Sequence, residues 1–385
     1  MVIYFDNAAT SWPKPSQVKE AMVRFMDEIG ANPGRSGHLL SIEAARVLHE
    51  TREALSLCFH VKDSSRIVFT HNATESINLA LKGLLKPKDH VITSSMEHNS
   101  VMRPLRDLEK KGIELSIIPC SRKGILDPQE VKKEIRSNTR MVVLNHASNV
   151  TGNLLPIREV GLIARKHNLL FLVDAAQTAG AYPIDMEKDG IDLLAFTGHK
   201  SLYGPQGTGG LVIGIRVKEK EMTPLKQGGT GSRSESEEQP DFLPDRFESG
   251  TPNSVGIAGL LAGIQFVLEK GIEQIHQHEI SLIEKLIKGL KELPQVRLYG
   301  PENGSEQIAT LSFNIAHQSP SDVAFRLERE FGILCRPGLQ CAPAAHRTIG
   351  TFPEGTVRFS LSFSNSEEEV ERALQAVSHL TRNGT

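Results

Sequence analysis

The sequence predicts an α/β protein: a large, doubly wound, mostly parallel sheet domain followed by a smaller α+β domain. Three observations carry this. Short apolar runs rich in β-branched residues alternate with helical segments through the first part of the chain. A polar stretch at 227–248 then breaks the alternation, and a different order of helices and strands follows it. No uninterrupted apolar run reaches the roughly 18 residues that a membrane span requires.

Seven runs read as buried strands: "RIVFT" (66–70), "HVITSS" (90–95), "LSIIP" (115–119), "RMVVLNHAS" (140–148), "LLFLVDAA" (169–176), "DLLAFTG" (192–198) and "GGLVIGI" (209–215). The spacing predicts helices among them. The segment 41–59 opens at Ser41, a good cap, and repeats apolar residues at Ala44, Val47, Leu48, Leu55 and Phe59. Others are 75–85, 99–110, 128–136 and 156–167, the last starting with proline in its first turn. Residues 227–248, "QGGTGSRSESEEQPDFLPDRFE", have neither period and read as a long loop. Helices are expected at 255–269 and 272–293, and then strands at 297–300, 307–315, 333–336 and 356–363 with helices at 320–331 and 366–380. The division expected is a large domain over 15–268 and a small one over 269–385, with residues 1–14 packing at their junction.

With 385 residues, 39% hydrophobic, 23% charged and a formal net charge of -2, the composition excludes disorder and gives no electrostatic footprint for nucleic acid or anionic lipid. The first residues contain no basic segment followed by an apolar one, so the expected setting is the cytoplasm. Four cysteines, at 58, 120, 335 and 341, do not form a disulfide framework, and no CxxC or HExxH is present to hold zinc.

Chemistry begins at "FTGHKSLYGPQGTGG", 196–210. Lys200 follows a buried strand in a Gly- and Pro-rich turn, a place for a lysine that bonds a carbonyl group, although alone it reads more readily as a surface lysine. The glycines do not make a dinucleotide fingerprint, because a strand rather than a helix follows them. In "LVDAAQTAG", 172–180, Asp174 ends a strand where open α/β sheets hold ligands, and it suits a pyridinium nitrogen or a plain helix cap. In "THNATESINLAL", 70–81, a strand gives way through Ala73 and Thr74 to a helix whose first N–H groups suit a phosphate, although on its own the segment reads as readily as a plain Thr74 helix cap. His98 in "SSMEHNSV" follows the next strand and suits stacking on a planar ring or a plain position at a helix terminus. In "CRPGLQCAP", 335–343, Cys335 closes an apolar run and reads as a buried strand residue. Cys341 lies beyond Pro337 and Gly338, in a segment that reads as a loop where a thiol can move.

Taken in order, the phosphate turn, the EH motif, "HASNVTG", "VDAAQ", "GHK", "ESGTPN", a late cysteine and "VRFSLSFSN" resemble the class V aminotransferase family of fold-type I pyridoxal phosphate enzymes. Within it the chain is most similar to Suf-type cysteine desulfurases and selenocysteine lyases, from "YFDNAAT" to the last helix. The resemblance implies Lys200 as the covalent attachment point of pyridoxal 5'-phosphate, Asp174 on its ring nitrogen, Gln177 on its phenolic oxygen and His98 against its ring. It places Ala73, Thr74, Thr197 and His199 on the phosphate, and Thr251 on the phosphate of a neighbouring subunit, hence a homodimer. Arg358 would hold a substrate α-carboxylate, a task suited to a guanidinium. Asn149, His38, Arg35 and Arg336 would lie near the substrate. The pattern "RPGLQCA" matches the family's cysteine segment, with Leu339 and Gln340 where Suf-type enzymes carry two histidines.

The implied activity is removal of sulfur from L-cysteine to give L-alanine. Cys341 would receive the sulfur as a persulfide, with Arg336 as a nearby positive charge, and pass it to an acceptor protein. L-selenocysteine is a second expected substrate. Alternatives are another reaction of the family (selenocysteine lyase, C–S lyase, epimerase) that does without Cys341, and a non-catalytic scaffold for sulfur assembly, which an intact Lys200 disfavours.

Overall fold

A computed structural model describes residues 2–34, 37–301 and 303–382; Arg35 therefore lies outside the described residues. Seven strands form the central sheet in the order Ile67–Thr70, Gly209–Ile213, Leu193–Thr197, Leu170–Asp174, Thr139–Asn145, His90–Ser94, Glu114–Ile118. Only Gly209–Ile213 runs against its neighbours, so the sheet is mostly parallel as expected. Alternate residues of each strand enter opposite cores. Val142, Leu144, Phe171, Val173, Leu194 and Phe196 pack on one face, and Met141, Val143, Leu170, Leu172, Leu193 and Ala195 on the other. Burial on both faces explains why these strands read as continuous apolar runs.

The C-terminal part carries a four-stranded antiparallel sheet in the order Arg336–Gly338, Thr356–Ser360, Thr310–Ile315, Val296–Tyr299. Its core joins Leu311, Phe313, Val357 and Phe359 to the helices Ile272–Lys291 and Glu367–Arg382 through Leu282, Leu286, Val370 and Val377. Ile3 and Phe5 complete that core from the N-terminal end, and Ile3–Tyr4 pairs in parallel with Ile333–Leu334. The chain thus changes sheets at Cys335. This is why the expected strand 333–336 is divided: its first half bonds the N-terminal strand and its second half bonds Thr356–Ser360.

Helix starts depart from expectation for one reason. The helix expected at 41–59 runs Leu39–Phe59, and its cap is His38, whose Nδ1 accepts the Ser41 N–H at 3.2 Å; the Ser41 hydroxyl instead donates to the Asn32 carbonyl. The helix Ala73–Leu84 starts two residues before the expected Glu75, because Asn72 accepts the Glu75 N–H at 3.0 Å. The helix expected at 128–136 is shorter, Pro128–Lys133, and two short helices, Ser16–Arg24 and Pro343–Ile349, were not expected. Residues 227–248 contain no helix or strand, and Glu248 fastens their end by accepting from Arg52 Nη2 at 2.6 Å and from the Phe69 N–H at 2.7 Å. No single helix among the described residues is long and apolar enough to cross a membrane.

Candidate active site

Asn145, Asp174 and Thr197 end three neighbouring parallel strands, and the register sets Asn145 opposite Asp174 and Asp174 opposite Ala195. Side chains of a shared sheet edge therefore converge at the carboxyl ends of the strands, where open α/β sheets bind ligands. A cavity of ≈ 270 Å³ lies there. It is lined by Ala73, Thr74, His98, Asn149, Asp174, Gln177, Thr197, His199, Lys200, Arg336, Cys341 and Arg358. Twelve of the fourteen site residues expected within the described chain thus share one space.

The other two lie elsewhere. His38 is exposed and serves as the helix cap described above. Thr251 is exposed and lines a smaller cavity of ≈ 70 Å³ with His71, Glu75 and Lys226, beside the start of the helix Ala73–Leu84.

The floor of the main cavity is dry. Asp174 is 5% exposed, accepts from the Ala176 N–H at 3.0 Å and from the Ser100 hydroxyl at 3.1 Å, and burial pushes its carboxyl above the usual range. Ser100 also donates its backbone N–H to His98 Nδ1 at 3.0 Å, which leaves the proton of a neutral ring on Nε2. Burial, with Lys200, Arg103 and Arg358 adding positive charge, lowers His98 to about 4. His199 falls to about 4 for similar reasons, burial first and then Lys200 and Lys14. Lys200 itself is lowered to about 8 because its ammonium is desolvated; Asp174 opposes that shift and Arg358 adds to it. An amine so placed is neutral in a sizeable fraction of molecules near neutral pH, which a surface lysine is not.

Backbone geometry brings the helix start to this floor. Gly209 pairs with both Thr70 and Thr197, and a Cβ there would lie 2.8 Å from Asn72 Cα and from the Phe196 carbonyl oxygen. Glycine therefore lets Asn72, Ala73 and Thr74 close on the strand end, with the first-turn N–H groups of the helix at the cavity wall.

The opposite wall comes from the four-stranded sheet. Its register sets Arg336 directly across from Arg358, a repulsive pair on its own. Asp6, which sequence reasoning missed, relieves it: Arg358 Nη2 donates to Asp6 Oδ1 at 2.5 Å, and Arg336 Nη1 lies 3.7 Å from Oδ2. Arg358 is 2% exposed, and Nη1 donates to the Asn149 carbonyl at 2.9 Å. Among the described residues lining this cavity, Arg358 Nε, Asn145 Oδ1, Asn149 Oδ1 and His199 Nδ1 are buried with no hydrogen-bond partner. Four orphaned polar atoms on residues lining one cavity mark a place for polar groups of a ligand.

Cys341 is exposed and lies outside any helix or strand, in the short connection expected from the sequence. It ends a tight turn directly before the helix Pro343–Ile349, and the Asn99 N–H donates to its carbonyl at 2.9 Å. Cys335 is the contrary case, a thiol that burial pushes up to about 12. Glu97 and Gln340 were also missed. Glu97 is fully buried, accepts from the Asn145 N–H at 2.9 Å and from Ser94 Oγ at 2.6 Å, and is raised to about 8 by desolvation. Its place in "MEHN", next to His98, was the available signal.

An enclosed lysine near a buried aspartate at the edge of a parallel sheet, with an arginine and a thiol on the far wall, makes a site for covalent group-transfer chemistry on a small polar ligand. The chain belongs to the aminotransferase class-V family, whose model matches residues 3–373. It is 36% identical over 375 residues to a probable cysteine desulfurase of Methanothermobacter thermautotrophicus, covering 96% of this chain and 92% of the relative. A cysteine desulfurase of Escherichia coli O157:H7 is 32% identical over 388 residues, covering 98% and 93%. Among solved structures, the apo cysteine desulfurase from Thermococcus onnurineus NA1 superposes with a TM-score of 0.93 at 36% identity, covering 99% of this chain and 95% of that one. The S-sulfonic acid form of an Escherichia coli cysteine desulfurase follows with a TM-score of 0.87 at 28% identity, covering 99% and 95%.

Proposed function

We propose that this protein is a pyridoxal 5'-phosphate-dependent cysteine desulfurase that converts L-cysteine to L-alanine and takes the sulfur onto Cys341. The observation that carries this reading is the convergence of Lys200, Asp174, Arg358 and Cys341, from two different sheets, on one cavity. The cavity's residues fit the cofactor. Lys200 supplies the amine that bonds its aldehyde, Asp174 an acid for its ring nitrogen, and the neutral face of His98 a surface for its ring. Ala73, Thr74, Thr197 and His199 supply donors for its phosphate, and Gln177, whose Nε2 donates to the Ala8 carbonyl at 3.1 Å, lies on the same wall for its phenolic oxygen. When bound, the cofactor supplies an electron sink that makes the substrate Cα–H acidic.

The chain's own residues do the rest. Arg358, with its unpaired Nε, holds the substrate α-carboxylate, and Asn149 Oδ1 offers an acceptor beside it. The Lys200 amine, neutral above about 8, moves the proton at Cα. The Cys341 thiolate attacks the substrate sulfur: the new S–S bond forms, the substrate Cβ–S bond breaks, and its electron pair ends in a C–H bond of alanine. Cys341 leaves the turnover as a persulfide, so an acceptor thiol must collect the sulfur before the next one.

Thr251, exposed beside the helix start, supports a homodimer in which it reaches the partner's cofactor phosphate. Four free cysteines suit a reducing, cytoplasmic setting. The separate cores support two domains, divided near residue 269. The reading is tested by assaying alanine and sulfide from L-cysteine with the wild type, Lys200→Ala and Cys341→Ala. Lys200→Ala is expected to lose the visible absorbance of the bound cofactor and all turnover, and Cys341→Ala to lose sulfur transfer. Undiminished sulfide release by Cys341→Ala contradicts the role given to that thiol.

A further inference from the structure

Two consecutive residues other than glycine, Gln340 and Cys341, have left-handed backbones, with φ of 40° and 59°. Such a conformation is strained for a residue with a side chain and persists only where its surroundings over-determine it. Gln340 is where that happens. It is 6% exposed, and its side chain makes three hydrogen bonds. Nε2 donates to the Thr356 carbonyl at 3.0 Å and to the Arg336 carbonyl at 3.3 Å. Two carbonyl acceptors fix the amide orientation, so Oε1 is the atom 2.8 Å from His346 Nε2 and must accept from it. Burial lowers His346 to about 4, so the ring is neutral with its proton on Nε2, and its Nδ1 accepts from the Thr351 hydroxyl at 2.7 Å. The Gln340 carbonyl is also held, by Asn149 Nδ2 at 2.7 Å.

This network ties the strand Arg336–Gly338, its neighbour Thr356–Ser360 and the helix Pro343–Ile349 to the single residue before Cys341. On the reading that Cys341 receives the sulfur, we infer that Gln340 is the positioning residue for that step: it locks the left-handed turn that presents the Cys341 thiol to the cavity, with His346 as its fixed donor partner. The bond from Asn99 to the Cys341 carbonyl and the turn bond from the Ala342 N–H to the Leu339 carbonyl at 2.8 Å depend on the same turn.

The test compares Gln340→Met, which keeps length and bulk but none of the three bonds, with Gln340→Glu. In single turnovers of the cofactor-loaded protein, Gln340→Met is expected to form the Cys341 persulfide at least about tenfold more slowly, with the L-cysteine concentration for half-saturation unchanged. Independently of turnover, hydrogen exchange at the Ala342 and Asn99 amides is expected to speed up by about tenfold or more while the central sheet keeps its protection. A carboxylate at position 340 faces two carbonyls and is repelled, whereas a protonated carboxyl donates to one of them and still accepts from His346. The rate of Gln340→Glu relative to wild type should therefore rise as pH falls, which loss of packing alone does not produce. Wild-type persulfide formation and wild-type exchange in Gln340→Met overturn the inference, as does a pH-independent ratio for Gln340→Glu. Cys341→Ala separates the two claims: if it is inactive while Gln340→Met is unimpaired, only the positioning role fails, and if it is fully active the sulfur-receiving role fails first.

Discussion

The two walls of the cavity hold their reactive groups by different physics. Lys200 and Asp174 stand on the edge of a parallel sheet buried on both faces, and desolvation sets their protonation: the lysine falls to about 8 and the aspartate rises. Cys341 stands on an exposed turn at the edge of a small antiparallel sheet, and hydrogen bonds from Asn99, Asn149 and the Gln340 side chain fix where it is. One wall tunes charge, and the other holds position. Substitutions on the first wall should accordingly change ionisation and cofactor binding, while those on the second should change transfer with the cofactor still in place.

The largest expected effect is on the first wall. Lys200→Ala should lower alanine formation by roughly 10²–10⁴-fold or more, because it removes both the attachment point and the proton carrier. Persistence of the cofactor absorbance in that variant breaks the comparison. The same wall gives a pH dependence. Since Lys200 is depressed to about 8, its reactive neutral form grows as pH rises toward that value. Capture of added cofactor by the apoprotein, followed by absorbance, should quicken about tenfold per pH unit below 8 and level off above it. A rise continuing to pH 10 would mean that the lysine is not desolvated.

On the second wall, Arg358→Lys keeps the charge but loses the fork, and should raise KM for L-cysteine by about tenfold, near 1.4 kcal/mol, with kcat little changed. Asp6→Asn should act in the opposite direction. The Asp6 carboxylate occupies part of the guanidinium a substrate needs, so KM should fall by roughly two- to fivefold, about 0.4–1 kcal/mol. A large rise in KM instead would show that Asp6 orients Arg358 more than it competes. Cys335→Ala should matter least: about 1 kcal/mol of stability, read from denaturant unfolding, and no loss of sulfur transfer.

The same contrast governs what the sequence could show. The first wall was legible, since strands buried on both faces read as continuous apolar runs and place Asp174, Thr197 and Lys200 at their ends without knowledge of any partner. The Ala73–Thr74 turn could be read for the same reason, whereas the need for glycine at Gly209 shows only in its approach to Asn72. The second wall depends on pairs remote in the chain. Asp6 meets Arg358 across 352 residues, and Gln340 is explained only by Thr356 and His346. Proline and glycine before Cys341 suggested a mobile segment, but pairing of Arg336–Gly338 with Thr356–Ser360 makes them part of a sheet edge. Helix starts slipped because Asn72 and His38 act as caps two and three residues ahead of the stronger local candidates, Thr74 and Ser41.

The most direct measurement is a single turnover of the cofactor-loaded protein with equimolar L-cysteine, with alanine quantified and the Cys341 peptide weighed by mass spectrometry before any acceptor thiol is added. The account predicts one sulfur atom added to Cys341 for each alanine formed, and neither product in Cys341→Ala. Alanine formed in full while the Cys341 peptide keeps its original mass would contradict it.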